Sequence, residues 1–105
     1  MTRMGRLQKI RRIELLGGLR TLAQAEAQVA RLGSVAVRLD ALVGGVPAGG
    51  DTADRKASAV ARGALDDARR SVGARHAEGL EVRAVAASAA LRLKTRVDVV
   101  AALAE

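Results

Sequence analysis

Apolar residues recur along the first half of the chain at intervals of seven. One series contains Leu15, Leu22, Val29, Ala36 and Val43. A second series lies three residues further on and contains Ala25, Leu32, Leu39 and Val46. Two apolar residues in every heptad form the seam of a coiled coil, so the pattern predicts a first long helix over about residues 6–43.

The apolar pattern differs near the N-terminus, where the residues follow a three-residue step. They are Leu7, Ile10, Ile13, Leu16 and Leu19. A three-residue step drifts around a helix, so we expect the apolar stripe to change register near Gly17 and Gly18. Adjacent glycines each cost a helix about 1 kcal/mol relative to alanine, which favours a bend at the same place.

A glycine- and proline-containing segment, GGVPAGGD, occupies residues 44–51. Gly44 and Gly45 are expected to end the first helix in left-handed geometry, and Pro47 discourages its continuation. Asp51 or Thr52 is expected to cap the next helix. The segment therefore predicts a loop between two helices.

The second half of the chain resumes the seven-residue series. Its members are Leu65, Val72, Ala86, Leu93 and Val100, interrupted at Gly79, with Ala61, Ala68, Val82, Ala89 and Leu103 alongside. Arg75 and Arg96 are expected to intrude on this face. The series predicts a second helix over about residues 52–104.

The two halves together predict an all-α fold, an antiparallel two-helix hairpin with long arms in one domain over residues 1–105. Strict alternation from Val35 to Val43 would also suit a strand, but the alanine content and the absence of aromatic residues favour helix. Much of the apolar content is alanine, so the core is thin. We expect oligomerisation or a partner to complete it.

The composition offers little catalytic chemistry. Cysteine is absent, which excludes disulfides and thiolate metal sites, and His76 is the only histidine. A metal centre needs three or four convergent ligands, and a hydrolase needs a nucleophile, a base and an orienting group. We therefore predict a protein that is not an enzyme and holds no cofactor or metal.

The formal net charge of +7 is concentrated at the N-terminus. Residues 1–20 contain six basic residues and one acidic residue, a net charge of +5. Such charge attracts nucleic acid, anionic lipid and acidic proteins alike. The chain contains no apolar stretch of transmembrane length. We expect a cytoplasmic protein with at most peripheral membrane contact.

The segments RLQKIRRIELLGGLRTLAQAEAQVARL (residues 6–32) and AALRLKTRVDVVAALAE (residues 89–105), on either side of the loop, resemble the FliJ/YscO group of coiled-coil stalk proteins in flagellar and type III export. In that group a basic, apolar opening leads into one coiled-coil arm. A polar connection and a longer arm with basic terminal turns follow.

The resemblance implies a cytoplasmic stalk that inserts into a ring ATPase and also contacts the export gate and substrate chaperones. It implies no catalytic residue. By position, seven basic residues lie on the terminal turns that would bind the partner: Arg6, Lys9, Arg11, Arg12, Arg92, Lys94 and Arg96. Two alternatives stay open, a basic helical nucleic-acid-binding protein and a self-assembling structural coiled coil of phage or bacterial origin.

Overall fold

A computed structural model of the chain describes residues 2–104 and contains two α-helices. Helix α1 spans Arg3–Gly44 and helix α2 spans Thr52–Ala104. The residues described contain no strand, so the alternation from Val35 to Val43 lies within a helix. The predicted all-α helical hairpin is confirmed.

Side-chain caps mark the start of both helices. At α1 the Gly5 N–H donates to Thr2 Oγ1 at 2.9 Å, and at α2 the Asp54 N–H donates to Asp51 Oδ1 at 2.9 Å. A capping oxygen satisfies one of the backbone donors that have no partner in the first helical turn. The Thr2 cap explains why α1 begins three residues before the predicted arm, and the Asp51 cap confirms one of the two predicted.

The prediction of left-handed glycines at the end of α1 is wrong. Gly45 N–H instead donates to the carbonyls of Ala41 and Leu42, both at 3.1 Å, which tightens the last turn without a positive φ. Among the residues described, the one glycine with positive φ is Gly50, at 120°. That conformation precedes the Asp51 cap and favours glycine.

The heptad seam of α1 agrees with the burial of its side chains. Ala25 and Val29 are buried, and the remaining members from Leu15 to Val43 are half-buried, as is Val46 in the loop after the helix. The predicted register change near Gly17 and Gly18 is wrong, because steps of three and four residues continue through Gly18, Leu15, Arg11, Gln8 and Met4. All five are half-buried. Of the predicted three-residue stripe, Ile10, Ile13, Leu16 and Leu19 are consequently exposed, and Leu7 is half-buried.

The seam of α2 follows the predicted seven-residue series but only part of its predicted neighbours. Ala68 and Ala89 are half-buried, whereas Ala61, Val82 and Leu103 are exposed. Ala86 and Val100 are buried, and Leu65, Val72, Gly79 and Leu93 are half-buried. In the C-terminal part the second seam position lies four residues on, at His76, Ala90 and Val97, rather than three. The expected intrusion of Arg75 and Arg96 is therefore wrong, and both are exposed.

Residue contacts divide the chain into two compact units, each built from segments of both helices. Unit 1 comprises residues 1–28 and 79–105, and unit 2 comprises residues 29–78. In unit 2, Gly33 faces His76 and Asp40 pairs with Arg69, so an advance of seven residues on α1 matches a retreat of seven on α2. The helices of unit 2 are therefore antiparallel.

The helices of unit 1 are antiparallel by the same reasoning. Arg11 lies beside Val99 and Val100, Gly18 faces Leu93, and Thr21 lies beside Val85. Later positions on α1 thus meet earlier positions on α2. Whether residues 1–105 behave as one hairpin domain stays a prediction.

Candidate partner-binding surface

The fold places all seven predicted binding residues in unit 1. Arg6, Lys9, Arg11 and Arg12 lie on its α1 segment, and Arg92, Lys94 and Arg96 lie on its α2 segment. The antiparallel pairing explains why two clusters from opposite ends of the chain belong to one compact body. The structure supplies this grouping, but it does not test what the residues bind.

Most of these basic side chains are exposed and form no ion pair among the described residues. Within residues 2–104, only Arg11 and Lys94 of the seven form ion pairs, with Glu14 at 3.1 Å and with Asp98 at 3.4 Å. The Lys94 pair is largely exposed, and such pairs contribute about 0–1 kcal/mol. Unit 1 contains ten basic and five acidic residues, a formal net charge of +5. An anionic partner would meet little internal competition for these cations.

Arg11 differs from the others because it occupies a seam position. Its side chain is 31% exposed and lines a small cavity with Thr95, Arg96, Val99 and Val100. Its Nη1 donates to both carboxylate oxygens of Glu14, at 3.1 and 3.3 Å. Its Nε is buried and has no hydrogen-bond acceptor within the described chain. A buried donor without a partner costs about 1–3 kcal/mol, so Arg11 weakens the seam locally.

Sequence reasoning missed the exposed aliphatic side chains that accompany the basic ones. Ile10 and Ile13, which the apolar pattern places on the stripe, stand outside the seam, next in sequence to Lys9 and Arg12. Val85 and Val99 of α2 are also exposed. The seven-residue count of α1, extended toward the N-terminus, places Gly18 and Arg11 in the seam. That count would have predicted that Ile10 and Ile13 lie outside the seam and are exposed.

The remaining titratable residues do not form a metal centre. Within residues 2–104, no group of three or more histidine, cysteine or acidic side chains is placed to hold an ion. His76 is half-buried in the seam of unit 2, and its Nε2 would lie 3.9 Å from a Cβ on Gly33. That separation is an ordinary packing contact, so the position of His76 needs no ligand to explain it.

Two expectations from the sequence concern membrane insertion and family membership. Neither helix, over the residues described, is long and apolar enough to cross a membrane. Comparisons of the chain with profiles of known families, with curated proteins and with solved structures gave no match. The resemblance to the FliJ/YscO group therefore stays an interpretation of the sequence.

Proposed function

We propose that the chain is a non-enzymatic coiled-coil interaction protein, most specifically an export-ATPase-associated stalk of a flagellar or type III secretion system in the bacterial cytoplasm. One observation carries the proposal: two basic clusters from distant parts of the sequence belong to one antiparallel helical unit. A paired-helix end with excess positive charge suits insertion into an acidic protein ring. Catalysis would then belong to the partner.

The side chains of the two clusters support a binding role rather than an internal structural one. Arg6, Lys9 and Arg12 are exposed and form no ion pair within the described chain. Exposed charges of this kind accelerate encounter with an oppositely charged partner, and salt weakens their effect. The export gate and substrate chaperones are further partners under the same proposal.

The decisive experiment replaces three exposed cations and measures the effect on a ring ATPase encoded in the same genome. The triple variant Arg6→Glu, Lys9→Glu, Arg12→Glu should abolish stimulation of ATP hydrolysis and weaken association at physiological salt. Close like-charge contacts across an interface cost several kcal/mol, so we expect a loss of at least about tenfold in affinity.

A matched control makes the same charge change in unit 2. Arg38→Glu, Arg62→Glu, Arg75→Glu also replaces three exposed basic residues, and it should leave stimulation unchanged. Circular dichroism verifies that both variants remain helical. Equal stimulation by the wild type and the first variant would reject the stalk assignment.

The net charge of unit 1 also supports a second candidate, binding to nucleic acid. Unit 1 then acts as a phosphate clamp, although the chain has no aromatic residue to stack on a base. Phosphate binding through several cations should lose affinity steeply between about 50 and 200 mM salt. Weak binding to duplex DNA without that steep loss would reject this candidate.

A further inference from the structure

Helix α2 carries a second apolar row in unit 1, beside the seam that contacts α1. The row advances in alternating steps of three and four residues, and its apolar members are Val82, Val85, Ala89, Val99 and Leu103. Arg92 and Arg96 occupy its two remaining positions. We call these seven residues the α2 row. Residues at this spacing share one face of a helix, in the pattern that forms a coiled-coil seam.

The valines and the leucine of the α2 row are exposed, whereas Ala89 is half-buried. Val82 is 57% exposed, Val85 68%, Val99 51% and Leu103 69%. The row extends over about 30 Å of helix, three heptads in length. Scattered exposed valines need no explanation, but two exposed aliphatic pairs at seam spacing, on either side of two arginines, have the form of half a helix interface.

The α2 row also borders α1, so that a groove exists for an incoming helix. Val82, Val85 and Ala89 line one groove together with Glu81 and Ala86 of the same helix. Thr21 of α1 lies on the other side of this groove. Arg96 and Val99 line a second small cavity, which Arg11 of α1 also lines. A third helix lying on the row would therefore contact both helices of unit 1, as in a helical bundle.

The two arginines determine the chemistry of the occupant. Arg92 and Arg96 are four residues apart, are exposed, and form no ion pair within the described residues. Guanidinium groups bind carboxylates in paired hydrogen bonds that are stronger than those between neutral groups. An occupant with two carboxylates at the matching spacing on one helix face would complement them.

A second copy of the chain is a poorer occupant. Arg92 is the middle residue of the α2 row, so a two-fold antiparallel pairing places it against its own equivalent. Parallel pairing opposes both arginines to themselves. A shifted register that separates the arginines leaves Val99 and Leu103 uncovered.

A membrane surface also fits poorly. A helix that lies in a lipid interface presents a broad apolar face and often anchors it with aromatic residues. The α2 row is only as wide as a coiled-coil seam, and the chain contains no aromatic residue. Charge and width together favour a protein helix over lipid.

We infer that the α2 row and the adjoining groove bind an amphipathic helix of another protein, one that carries an aliphatic heptad stripe and two carboxylates four residues apart facing Arg92 and Arg96. The inference does not depend on the export assignment. It requires only unit 1 and the exposed row.

The test uses the full chain and a synthetic helical peptide of about 22 residues, the length of the α2 row. The peptide carries leucine at heptad seam positions and glutamate at two seam positions four apart, and a control peptide carries lysine there. We expect saturable binding of the glutamate peptide alone, measured by fluorescence anisotropy. Val85→Ser with Val99→Ser should weaken binding at least about tenfold, because central buried contacts dominate interface energy.

Charge exchange provides the most specific readout. Arg92→Glu with Arg96→Glu should lose the glutamate peptide and gain the lysine peptide, which a merely structural role of the arginines would not produce. Matched controls lie on other faces of α2, namely Leu80→Ser with Leu91→Ser and the single Arg83→Glu. These should bind as the wild type does.

Four results would overturn the inference. They are failure of the glutamate peptide to bind, equal binding of the lysine peptide, dimers at physiological salt that Val85→Ser dissociates, and adsorption to phosphatidylserine vesicles that the same substitution abolishes. None of these assays contains the ring ATPase, so failure of this binding site is distinguishable from failure of the proposed stalk function.

Discussion

Arg11 shows how a single polar residue can weaken a helical seam. It occupies a position where the heptad pattern would place an aliphatic side chain, and its buried Nε has no acceptor within the described chain. Its contact with Glu14 is partly exposed and contributes about 0–1 kcal/mol. The same guanidinium group lies among the basic residues of unit 1, where an anionic partner could bind it.

Replacing Arg11 with leucine should therefore separate stability from function. We expect Arg11→Leu to raise the free energy of unfolding by about 1 kcal/mol, because it removes the orphan donor and fills the seam. The same substitution should reduce association with an anionic partner. Urea denaturation followed by circular dichroism measures the first effect.

The neighbouring residue offers a control of the same kind. Arg12 is exposed, so Arg12→Leu should change the unfolding free energy by no more than about 0.5 kcal/mol. If Arg11→Leu destabilised the chain by more than this, Arg11 would be a stabilising seam residue, and the unpaired Nε would not weaken the seam.

At the scale of the helices, the sequence predicted the elements better than their faces. The loop, the Asp51 cap and the seam from Leu15 to Val46 follow from local rules of capping and periodicity. The N-terminal face could not be predicted from hydrophobicity, because the seam there runs through Gly18, Arg11 and Gln8. Helical phase, once set by the stronger downstream heptads, determines which residues turn inward.

Helical phase also limits how much of the candidate surface could be predicted from the sequence. The basic residues are identifiable from charge, and their grouping follows from the predicted hairpin. The α2 row could not be identified from the sequence, because the heptad pattern assigns Val82, Ala89 and Leu103 to the seam that contacts α1. Burial of Ala90 and half-burial of Val97 instead move the second seam position by one residue, which leaves every member of the row except Ala89 exposed.

The two adjacent glycines of α1 provide a test of this phase. A Cβ on Gly17 would meet nothing within 4 Å, whereas a Cβ on Gly18 would lie 2.6 Å from Leu93 Cδ1. Alanine favours a helix interior over glycine by about 1 kcal/mol, so Gly17→Ala should stabilise the chain by about that amount. Gly18→Ala should gain less, because Leu93 must shift within the seam.

Thermal or urea unfolding of the two single variants measures the difference directly. The pair is well matched, since both substitutions add one methyl group to the same turn of α1. Equal stabilisation by the two variants would mean that Gly18 does not face Leu93, and the continuous heptad register through the N-terminal segment would be wrong.

Over the whole described chain, little side-chain surface is removed from water. Five apolar residues are buried within residues 2–104, and three of them are alanines. Fourteen large aliphatic side chains are exposed, and ten of these lie in unit 1. Burial of apolar surface is the main favourable contribution to folding, so a partner that covers unit 1 should stabilise the whole chain.

Self-association could supply the same cover, and the concentration dependence of unfolding distinguishes it from a heterologous partner. Mass action raises the melting temperature of an oligomer with protein concentration. Because like charges within the α2 row oppose pairing of two copies, we expect the melting temperature of the wild type to stay constant over roughly a hundredfold range of concentration at physiological salt.

Arg92→Leu with Arg96→Leu removes that opposition and completes the apolar row, so the double variant should acquire a concentration-dependent melting temperature. A wild-type melting temperature that rises with concentration would instead favour the self-assembling structural coiled coil, because the exposed aliphatic residues would then be covered by further copies of the chain.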